Sequence, residues 1–345
     1  MKKINYIILI VTPFHKKVVF HLFPDLLNRE DVLILFSEYV DFDRRYLTFE
    51  RLKSYGFSRR ELFNNPFGLL KSTLHKVNSI KQEIKLLKKK YAFSNELKVL
   101  ICSDKDIFTQ ILINKTISKN YPNRRLIAIE EGIGFYSKIK FKDLLLSFSY
   151  KMITPILFGI RLHYFKRLGC HPKINDIYLR VPELLDKKRK NLNYIKFFLN
   201  TSSNDKRTPS KGTCLLYSFP EQDSKQRVEV KINIIKIIAG YLDQKGKKLV
   251  IKPHPRENSE VLISELSEIK NVTILDKSVS GEEIDYFEYE QIFNFFSSII
   301  IDILDKKYPP NKLITIGSRK KCPIEFSEEM KYIPINKFST DQIEN

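Results

Sequence analysis

The sequence predicts an α/β fold with two Rossmann-like domains. Short segments that are apolar without interruption recur along the chain between helical patterns, which is typical of strands buried on both faces of a parallel sheet. One series of such segments begins at residues 4–11, and a second begins at residues 213–219. The chain has 345 residues, which is enough for two domains of ordinary size. Each series is therefore expected to form a parallel sheet of its own.

The two domains are predicted to separate where the composition changes. A basic run at residues 187–190 and a polar run at residues 201–205 flank a short aromatic patch. Polar runs of this kind between periodic segments indicate loops. The last helix is expected to pack back on the N-terminal domain. The predicted division is an N-terminal domain at 1–190, a linker at 191–211 and a C-terminal domain at 212–345.

The composition limits the class of protein. Four cysteines lie far apart without a Cys-x-x-Cys spacing, which speaks against a disulfide framework or a zinc site and fits a reducing compartment. The formal net charge of +20 indicates an anionic partner, which could be nucleic acid, an acidic membrane surface or an acidic substrate. A lysine-rich composition inherited from an AT-rich genome would explain the same charge without any partner.

No segment of the sequence is long and apolar enough to predict a membrane span. The apolar run at residues 4–11 is too short to cross a bilayer, and it indicates a first strand rather than a signal peptide. Residues 141–160 are apolar over a greater length but include Lys142, Asp143 and Lys151. This pattern predicts a buried or membrane-skimming helix. The protein is therefore expected in the cytoplasm.

His254 is the first candidate site residue. A Leu-Val-Ile run ends at Pro253 and Pro255, which cannot donate to a sheet ladder and hold φ near about −65°. His254 lies between them at the carboxyl end of the predicted strand, where open α/β sheets bind ligands. An imidazolium there could neutralise or protonate a phosphate leaving group, and Lys252 adds positive charge to the same edge. A structural histidine in a rigid turn is the alternative.

Glu130 and Glu131 form a second candidate site. They follow the apolar segment 125–129 and precede Gly132, and glycine permits a tight turn and a close approach by a ligand. Adjacent carboxylates repel one another, which tends to raise the pKa of one of them and to make it a usable general base near neutral pH. An acidic surface turn is the alternative.

Ser297 and Ser298 form a third candidate site. They follow an apolar segment at 291–296 and precede a helical pattern at 299–306. Two hydroxyl groups and free backbone N–H groups at a helix N-terminus could bind a phosphate. Simple capping of the helix by one serine is the alternative.

The three motifs together resemble a known family. Glu130-Glu131-Gly132, His254-Pro255 and Ser297-Ser298 follow one another in the order of an (Asp/Glu)-(Asp/Glu)-Gly motif, a His-Pro motif and a paired serine. This order is similar to that of bacterial sialyltransferases of the capsular polysialyltransferase type and their lipooligosaccharide relatives, glycosyltransferase families 38 and 52. Thr12-Pro13 after the first strand adds to the resemblance.

The resemblance implies both a fold and an activity. The fold would be GT-B, in which two Rossmann-like domains face each other across a cleft. The activity would be that of an inverting, metal-independent sialyltransferase that uses CMP-sialic acid and no further cofactor. The C-terminal domain would hold the donor, with His254 acting on the departing phosphate. The other residues implied for the donor phosphate are Lys252, Pro255, Ser297 and Ser298.

The resemblance also assigns the acceptor to the N-terminal domain. Glu130 or Glu131 would take the proton from the acceptor hydroxyl, and the resemblance favours Glu130 of the two. The acceptor would be an anionic oligo- or polysialic acid of a bacterial capsule, and the residues expected to bind it are Gly132, Lys138, Lys140 and Lys142.

A basic segment after the glutamate pair supports an anionic acceptor. Its positive charges are relieved only by Asp143, and tyrosine and phenylalanine residues are interleaved with them. The basic residues are Lys138, Lys140, Lys142, Lys151, Arg161, Lys166, Arg167 and Lys173. An electropositive groove would suit a glycan with one carboxylate per sugar. Contact with anionic lipid on the inner face of the bacterial inner membrane would produce the same pattern.

Two Asp-x-Asp patterns raise the question of a metal. Such motifs hold a divalent ion on the diphosphate of many sugar-nucleotide donors. Asp41-Phe42-Asp43 and Asp104-Lys105-Asp106 are the two candidates, and the second resembles a helix start, where acidic residues favour the helix dipole. Because CMP-sugars have a monophosphate leaving group, no essential metal is expected.

Three other functions remain open from the sequence. A lipooligosaccharide sialyltransferase would keep the motifs with a less anionic acceptor, and a CMP-Kdo-dependent transferase would need the same leaving-group chemistry. A nucleic-acid-binding protein would explain the charge, although the sequence contains no RNP, helix-turn-helix or zinc-finger signature, so no nucleic acid is expected as a partner.

Overall fold

The protein forms two compact units, Met1–Leu199 and Asn200–Asn345. The computed structural model describes residues 1–37, 48–52, 66–118, 120–136, 141–164, 167–185, 188–199, 211–219, 225–254, 257, 259–279, 281, 284–295, 299–317, 331–334, 338–339 and 341–344.

The first unit contains a sheet of seven parallel strands in the order β3-β2-β1-β4-β5-β6-β7. The chain reverses direction across the sheet between β1 and β4, which makes the sheet doubly wound as predicted. Its strands are β1 (Lys2–Ile10), β2 (Val32–Phe36), β3 (Phe49–Arg51), β4 (Tyr91–Ile101), β5 (Arg125–Ile129), β6 (Ile174–Leu179) and β7 (Asn193–Lys196). Its helices are α1 (Pro13–Leu22), α2 (Pro66–Lys90), α3 (Ile107–Thr116) and α4 (Phe141–Phe158).

The apolar strands of this unit make its core. All five residues of β2 are buried. Three of them pack in one cluster with β1 and α1, whose members include Ile8, Ile10, Val18, Val32, Ile34 and Phe36. Thr12 starts α1 because its Oγ1 accepts a hydrogen bond from the His15 backbone N–H at 3.2 Å. The first strand and first helix therefore meet in a capped turn at the carboxyl edge of the sheet.

The second unit contains six parallel strands in the order β10-β9-β8-β11-β12-β13. Buried residues of β8, β9 and β11 pack against α5. The strands are β8 (Thr213–Tyr217), β9 (Lys248–Lys252), β10 (Val272–Ile274), β11 (Gln291–Asn294), β12 (Leu313–Gly317) and β13 (Lys331–Pro334). The helices are α5 (Lys225–Gln244), α6 (Ser259–Leu266), α7 (Ile299–Asp305) and α8 (Asp341–Glu344).

The domain boundaries differ from the predicted ones at two places. Asn193–Lys196 was assigned to the linker, but it forms β7 and pairs with β6, so the first unit extends to Leu199. The final segment was expected to return to the first domain. Phe338 and Ile343 instead pack in the core of the second unit, where burial of their apolar side chains holds the tail.

No helix in the described ranges is long and apolar enough to cross a bilayer. The apolar segment 141–160 forms α4, which ends at Phe158 and carries Pro155 inside it.

A buried aspartate and a buried histidine close the loop before β6. Asp104 accepts hydrogen bonds from the backbone N–H groups of Gly169 at 3.1 Å and His171 at 2.8 Å. The His171 Nδ1 accepts from the Lys173 N–H at 3.2 Å. Burial and, to a smaller extent, the neighbouring His163, Lys173 and Arg189 together lower the pKa of His171 to about 3. The loop is therefore built around a neutral imidazole.

Because His171 is neutral in the folded protein, the free energy of unfolding should fall as the pH is lowered. Above its ordinary pKa of 6.5, His171 is neutral in both states, but below that value the unfolded chain binds a proton that the folded chain does not. Between pH 7.5 and 5.5 the free energy of unfolding should fall by about 1.4 kcal/mol from this group, or about 3–5 °C in melting temperature. His171→Asn, which can retain an acceptor for Lys173 N–H, should remove that part of the drop in thermal melts at the two pH values.

The matched control is His75→Asn, at an exposed position of α2. An equal change in pH dependence for the two variants would contradict the role given to His171.

Candidate active site

The ends of β1, β4, β5 and β6 bring several titratable side chains to the carboxyl edge of the first sheet. His15 lies in the first turn of α1 after β1, Cys102 follows β4, the glutamate pair follows β5, and Arg180 follows β6. This is the edge at which open α/β sheets bind ligands. The two glutamates occupy very different environments at this edge.

Glu130 is fully buried and its carboxylate is occupied. Its Oε1 accepts hydrogen bonds from Arg180 Nε at 2.9 Å and Nη2 at 2.7 Å. Its Oε2 accepts from the Arg180 backbone N–H at 2.7 Å and from the Tyr136 hydroxyl at 2.5 Å. These four contacts use the four lone-pair positions of a carboxylate. Burial and the neighbouring Glu130 raise the pKa of Tyr136, so this hydroxyl remains a donor.

Glu131 is partly exposed and lies beside a histidine. Its side chain is 35% exposed, and its Oε1 is 3.5 Å from Nε2 of His15, whose own side chain is 1% exposed. The two glutamates therefore do not share a site: Glu130 points to Arg180, and Glu131 points to His15. Repulsion between adjacent carboxylates, which the sequence suggested, is offset by the guanidinium of Arg180.

The protons on His15 follow from its contacts. The backbone N–H of Val11 donates to Nδ1 at 3.2 Å, which places the ring proton on Nε2, the nitrogen that faces Glu131. A ring nitrogen that accepts a hydrogen bond carries no proton, so the ring is neutral in this geometry and its single proton is on Nε2. The Nε2–H of His15 therefore faces the Glu131 carboxylate but forms no hydrogen bond to it at this separation of 3.5 Å.

Asp106 adds a second carboxyl group near Glu131. It caps α3 by accepting from the Thr109 backbone N–H at 2.7 Å and the Thr109 hydroxyl at 2.6 Å. Burial raises the pKa of Asp106 to about 6, the bonds from Thr109 oppose this shift, and the charge of Glu131 adds to it. Asp106 therefore has a structural role at the helix start, as the sequence indicated for this Asp-x-Asp pattern.

Within the described ranges, no three His, Cys, Asp or Glu side chains are grouped so that they could hold a metal ion. Asp104 and Asp106 are engaged by loop and helix N–H groups, and Asp41 and Asp43 lie outside the described residues.

Gly132 makes the turn after the glutamate pair. Its φ of 130° lies in a region that residues with a Cβ rarely adopt. Its carbonyl accepts from the Phe135 N–H at 3.1 Å as the chain enters a short 3₁₀ turn, Ile133–Tyr136. This turn delivers the Tyr136 hydroxyl to Glu130. Gly132 is therefore required for the local backbone, whatever it contacts in an acceptor.

The His254 turn is held by a buried ion pair in the second unit. The backbone N–H of His254 donates to Oε2 of Glu257 at 3.0 Å, and the Glu257 N–H returns a bond to the His254 carbonyl at 2.9 Å. Glu257 Oε1 accepts from the Ser218 hydroxyl at 2.8 Å and from the Lys231 ammonium. The side chains of Glu257 and Lys231 are 0% and 1% exposed. This network ties the turn to β8 and α5, while the half-buried His254 ring lies at the carboxyl end of β9.

Lys252 is engaged within the same turn. Its ammonium group is buried and donates to the carbonyls of Pro253 at 2.6 Å and Lys277 at 3.3 Å. These bonds hold the carboxyl end of β9 against the loop after β10. The structure therefore gives Lys252 a role in the turn in addition to the phosphate contact predicted from the sequence.

Several predicted site residues cannot be placed. Pro255, Ser297, Ser298, Lys138 and Lys140 lie outside the described residues, and for Lys142 only the backbone in α4 is described.

Sequence reasoning did not identify the partners that support the site. His15 is one of six histidines in the sequence, and no motif singles it out. Its position one turn after the first strand, beside the Thr12-Pro13 turn, was the available signal. Arg180 and Glu257 carried no comparable signal, because each meets its partner through the tertiary fold.

The buried pair in the second unit predicts a large effect on stability. Glu257→Gln should lower the free energy of unfolding by about 3–5 kcal/mol, because Lys231 would remain buried without its counter-charge. It should also loosen the His254 turn. The double variant Lys231→Met/Glu257→Gln should recover much of the loss, as measured by chemical denaturation.

Lys236 and Glu265 provide a matched control. They join α5 to α6 at 2.9 Å, but their side chains are 43% and 50% exposed. Glu265→Gln should cost less than about 1 kcal/mol. Equal losses for the buried and exposed pairs would contradict this account.

Solved structures resemble the chain in fold. The glycotransferase of kitacinnamycin has 11% sequence identity and a TM-score of 0.56, and the match covers 99% of this chain and 89% of that one. A putative UDP-N-acetylglucosamine 2-epimerase from Listeria monocytogenes has 12% identity and a TM-score of 0.48, with 99% and 88% covered. Os79 from O. sativa, solved with UDP, has 9% identity and a TM-score of 0.48, with 89% and 81% covered. The two parallel sheets and the first of these matches show an α/β fold of the GT-B type, as predicted.

The family follows from the sequence as a whole. No curated relative matches the chain significantly. The model of the alpha-2,8-polysialyltransferase (POLYST) family matches residues 7–303, and this range contains all three motifs. The resemblance inferred from those motifs is thereby confirmed. The chain belongs to the alpha-2,8-polysialyltransferase family and is a sialyltransferase with a GT-B fold.

Proposed function

We propose that the protein transfers sialic acid from CMP-sialic acid to the end of an anionic oligo- or polysialic acid of a bacterial capsule, with inversion at the transferred sugar and without a metal. The family match supports the reaction class. The observation that carries the mechanism is the pairing of a partly exposed Glu131 with the buried Nε2–H of His15.

Glu131 is the general base in this proposal. A base must reach the acceptor hydroxyl and must be free to accept its proton. Glu131 is accessible at the carboxyl edge of the first sheet, whereas the lone pairs of Glu130 are taken by Arg180 and Tyr136. The preference for Glu130 that the resemblance suggested is therefore replaced by a division of roles. Glu130 positions the strand end, and Glu131 accepts the proton.

His15 is a positioning residue for that base. A hydrogen bond from Nε2 to the Glu131 carboxylate would hold one oxygen toward the ring and leave the other for the acceptor hydroxyl.

The donor is assigned to the second unit. His254 would meet the negative charge that develops on the CMP phosphate, or give it a proton, together with Ser297 and Ser298 at the start of α7. The buried Lys231–Glu257 pair supports this assignment, because it fixes the turn that presents His254. Inversion then requires the acceptor to attack the face of the sugar opposite the departing phosphate.

An anionic acceptor accounts for the charge of the chain. With a net charge of +20, the protein attracts polyanions over distances of the order of the Debye length, about 8 Å at physiological ionic strength. A polysialic acid chain carries one carboxylate per sugar and would benefit at every residue. A galactose-terminated lipooligosaccharide would not.

The direct test is a transfer assay. Incubation with CMP-sialic acid and a fluorescent oligosialic acid should produce a ladder of longer products on a gel, and EDTA should leave the rate unchanged. Products from a galactose-terminated acceptor alone would indicate the lipooligosaccharide reaction, and turnover only with CMP-Kdo would indicate the other donor. Rescue of an EDTA-inhibited enzyme by manganese would overturn metal independence.

The division between the two glutamates can be tested directly. Glu131→Gln keeps the shape of the side chain but removes its basicity, so turnover should fall by about 100- to 10,000-fold while CMP still raises the melting temperature. Glu130→Gln should lower the free energy of unfolding by about 3–5 kcal/mol, because Arg180 would remain buried beside a neutral amide. Transfer assays and thermal melts on both variants separate the two effects.

His15 variants complete this experiment. His15→Leu removes the side chain that positions Glu131, so kcat should fall while KM for CMP-sialic acid stays unchanged, and His15→Gln, which can donate to Glu131, should restore part of kcat. A stable Glu131→Gln variant with near-normal turnover would refute the assignment of the base.

A further inference from the structure

Helix α4 carries a large apolar surface that faces solvent. Five side chains recur at i, i+4, i+7, i+11 and i+15, which places them on one face of the helix. We call this face the α4 stripe. Its members and their exposed fractions are Phe141 74%, Leu145 55%, Phe148 65%, Met152 57% and Ile156 85%. Over fifteen residues at 1.5 Å per residue, the stripe is about 22 Å long.

The opposite face of the helix is fixed to the first unit. Thr154 and Asp143 are buried, and the Thr154 hydroxyl accepts from the Leu162 N–H at 2.9 Å. Lys81 of α2 donates to the carbonyl of Phe158 at 2.6 Å at the end of the helix. The helix is therefore held by its polar and small residues. The stripe points outward, the reverse of the usual arrangement for an amphipathic helix on a soluble domain.

The apolar surface extends beyond the stripe. Leu144, Leu146, Ile153 and Leu157 are also 40–57% exposed. Isolated exposed apolar residues are ordinary, but a contiguous surface of this size marks an interaction site.

The charges around the stripe indicate what covers it. The single acidic residue of α4, Asp143, is buried, whereas Lys151 is exposed on the helix and Arg161 is exposed just after it. A two-fold contact with a second copy would bring the same basic groups together. An anionic lipid surface attracts them instead.

The length of the helix determines how it would meet a bilayer. It has 18 residues with Pro155 inside. No helix in the described part of the chain, α4 included, is long and apolar enough to span a membrane. A helix with an apolar face and basic flanks lies in the plane of the headgroups, with its apolar side chains in the acyl boundary.

We propose that α4 docks the first unit on an anionic bilayer, with the α4 stripe inserted among the lipid chains and with Lys151 and Arg161 on the headgroups. The surface lies on the same unit as Glu131. The enzyme would therefore add sugars at the membrane surface. The proposal does not depend on which acceptor or donor the site uses.

Vesicle flotation of the full-length protein tests this proposal. The probes are vesicles of phosphatidylcholine alone and vesicles with about 30% phosphatidylglycerol. The wild type should float with the anionic vesicles, and Phe148→Gln/Met152→Gln/Ile156→Gln should lose at least about tenfold in partition coefficient. The matched control Leu86→Gln/Ile263→Gln/Val230→Gln removes apolar side chains that are 64%, 50% and 40% exposed on other helices, and it should float like the wild type.

The other outcomes are decisive as well. Lys151→Gln/Arg161→Gln should weaken binding and make it less sensitive to salt, because fewer charges contact the headgroups. Failure of the wild type to bind anionic vesicles, or unchanged flotation of the stripe variant, would overturn the proposal. So would a dimer in sedimentation velocity that the stripe variant abolishes while lipid binding is absent. CMP thermal shifts and transfer to a soluble acceptor should be equal in the wild type, the stripe variant and the matched control, so a failed membrane test stays distinct from a failed enzymatic one.

Discussion

The candidate active site of the first unit depends on a buried ion pair. Glu130 and Arg180 are almost completely removed from water, and each charge would be costly without the other. Because the same carboxylate also accepts from the Arg180 backbone and from Tyr136, it fastens the end of β5 to the end of β6 and to the turn between them. Glu131 is the next residue in the chain, so its direction toward His15 is set by a contact in which it takes no part.

The second unit also contains a buried, neutralised carboxylate that holds the backbone of a candidate site residue. Glu257 binds the backbone of His254 and is neutralised by Lys231 inside the unit. In each unit, a buried carboxylate with no proposed part in the chemistry holds the backbone of a residue that has one. The arrangement is consistent with the demand of catalysis that reacting groups be positioned before the substrate arrives. In the proposed mechanism, it also allows a motif with two adjacent acids to use only one of them as a base.

The parts of this structure that the sequence predicts are those encoded locally. The apolar runs at β5 and β9 and the residues that end them placed Glu130, Glu131 and His254 at strand ends without any tertiary information. β7 was missed because Asn193–Lys196 is a short edge strand whose residues are only partly buried. Arg180 lies 50 residues from Glu130, and the approach of His15 to Glu131 depends on the strand order β1-β4-β5, so neither contact leaves a trace in the local pattern.

The positive charge of the chain is also only partly interpretable from the sequence, because the sequence does not show which cations are buried and which are exposed. The basic segment after the glutamate pair was predicted to form an electropositive groove for the acceptor, but its described members divide into two groups. Arg167 is buried and Lys173 donates to the Ile117 carbonyl, so these cations stabilise the fold, whereas Lys151 and Arg161 are exposed beside the apolar face of α4. A purely polyanionic acceptor would not require that apolar face, and a purely hydrophobic partner would not require the cations. The proposed contact with an anionic lipid surface would account for both together, and it would leave the remaining excess of positive charge available for a polyanionic glycan.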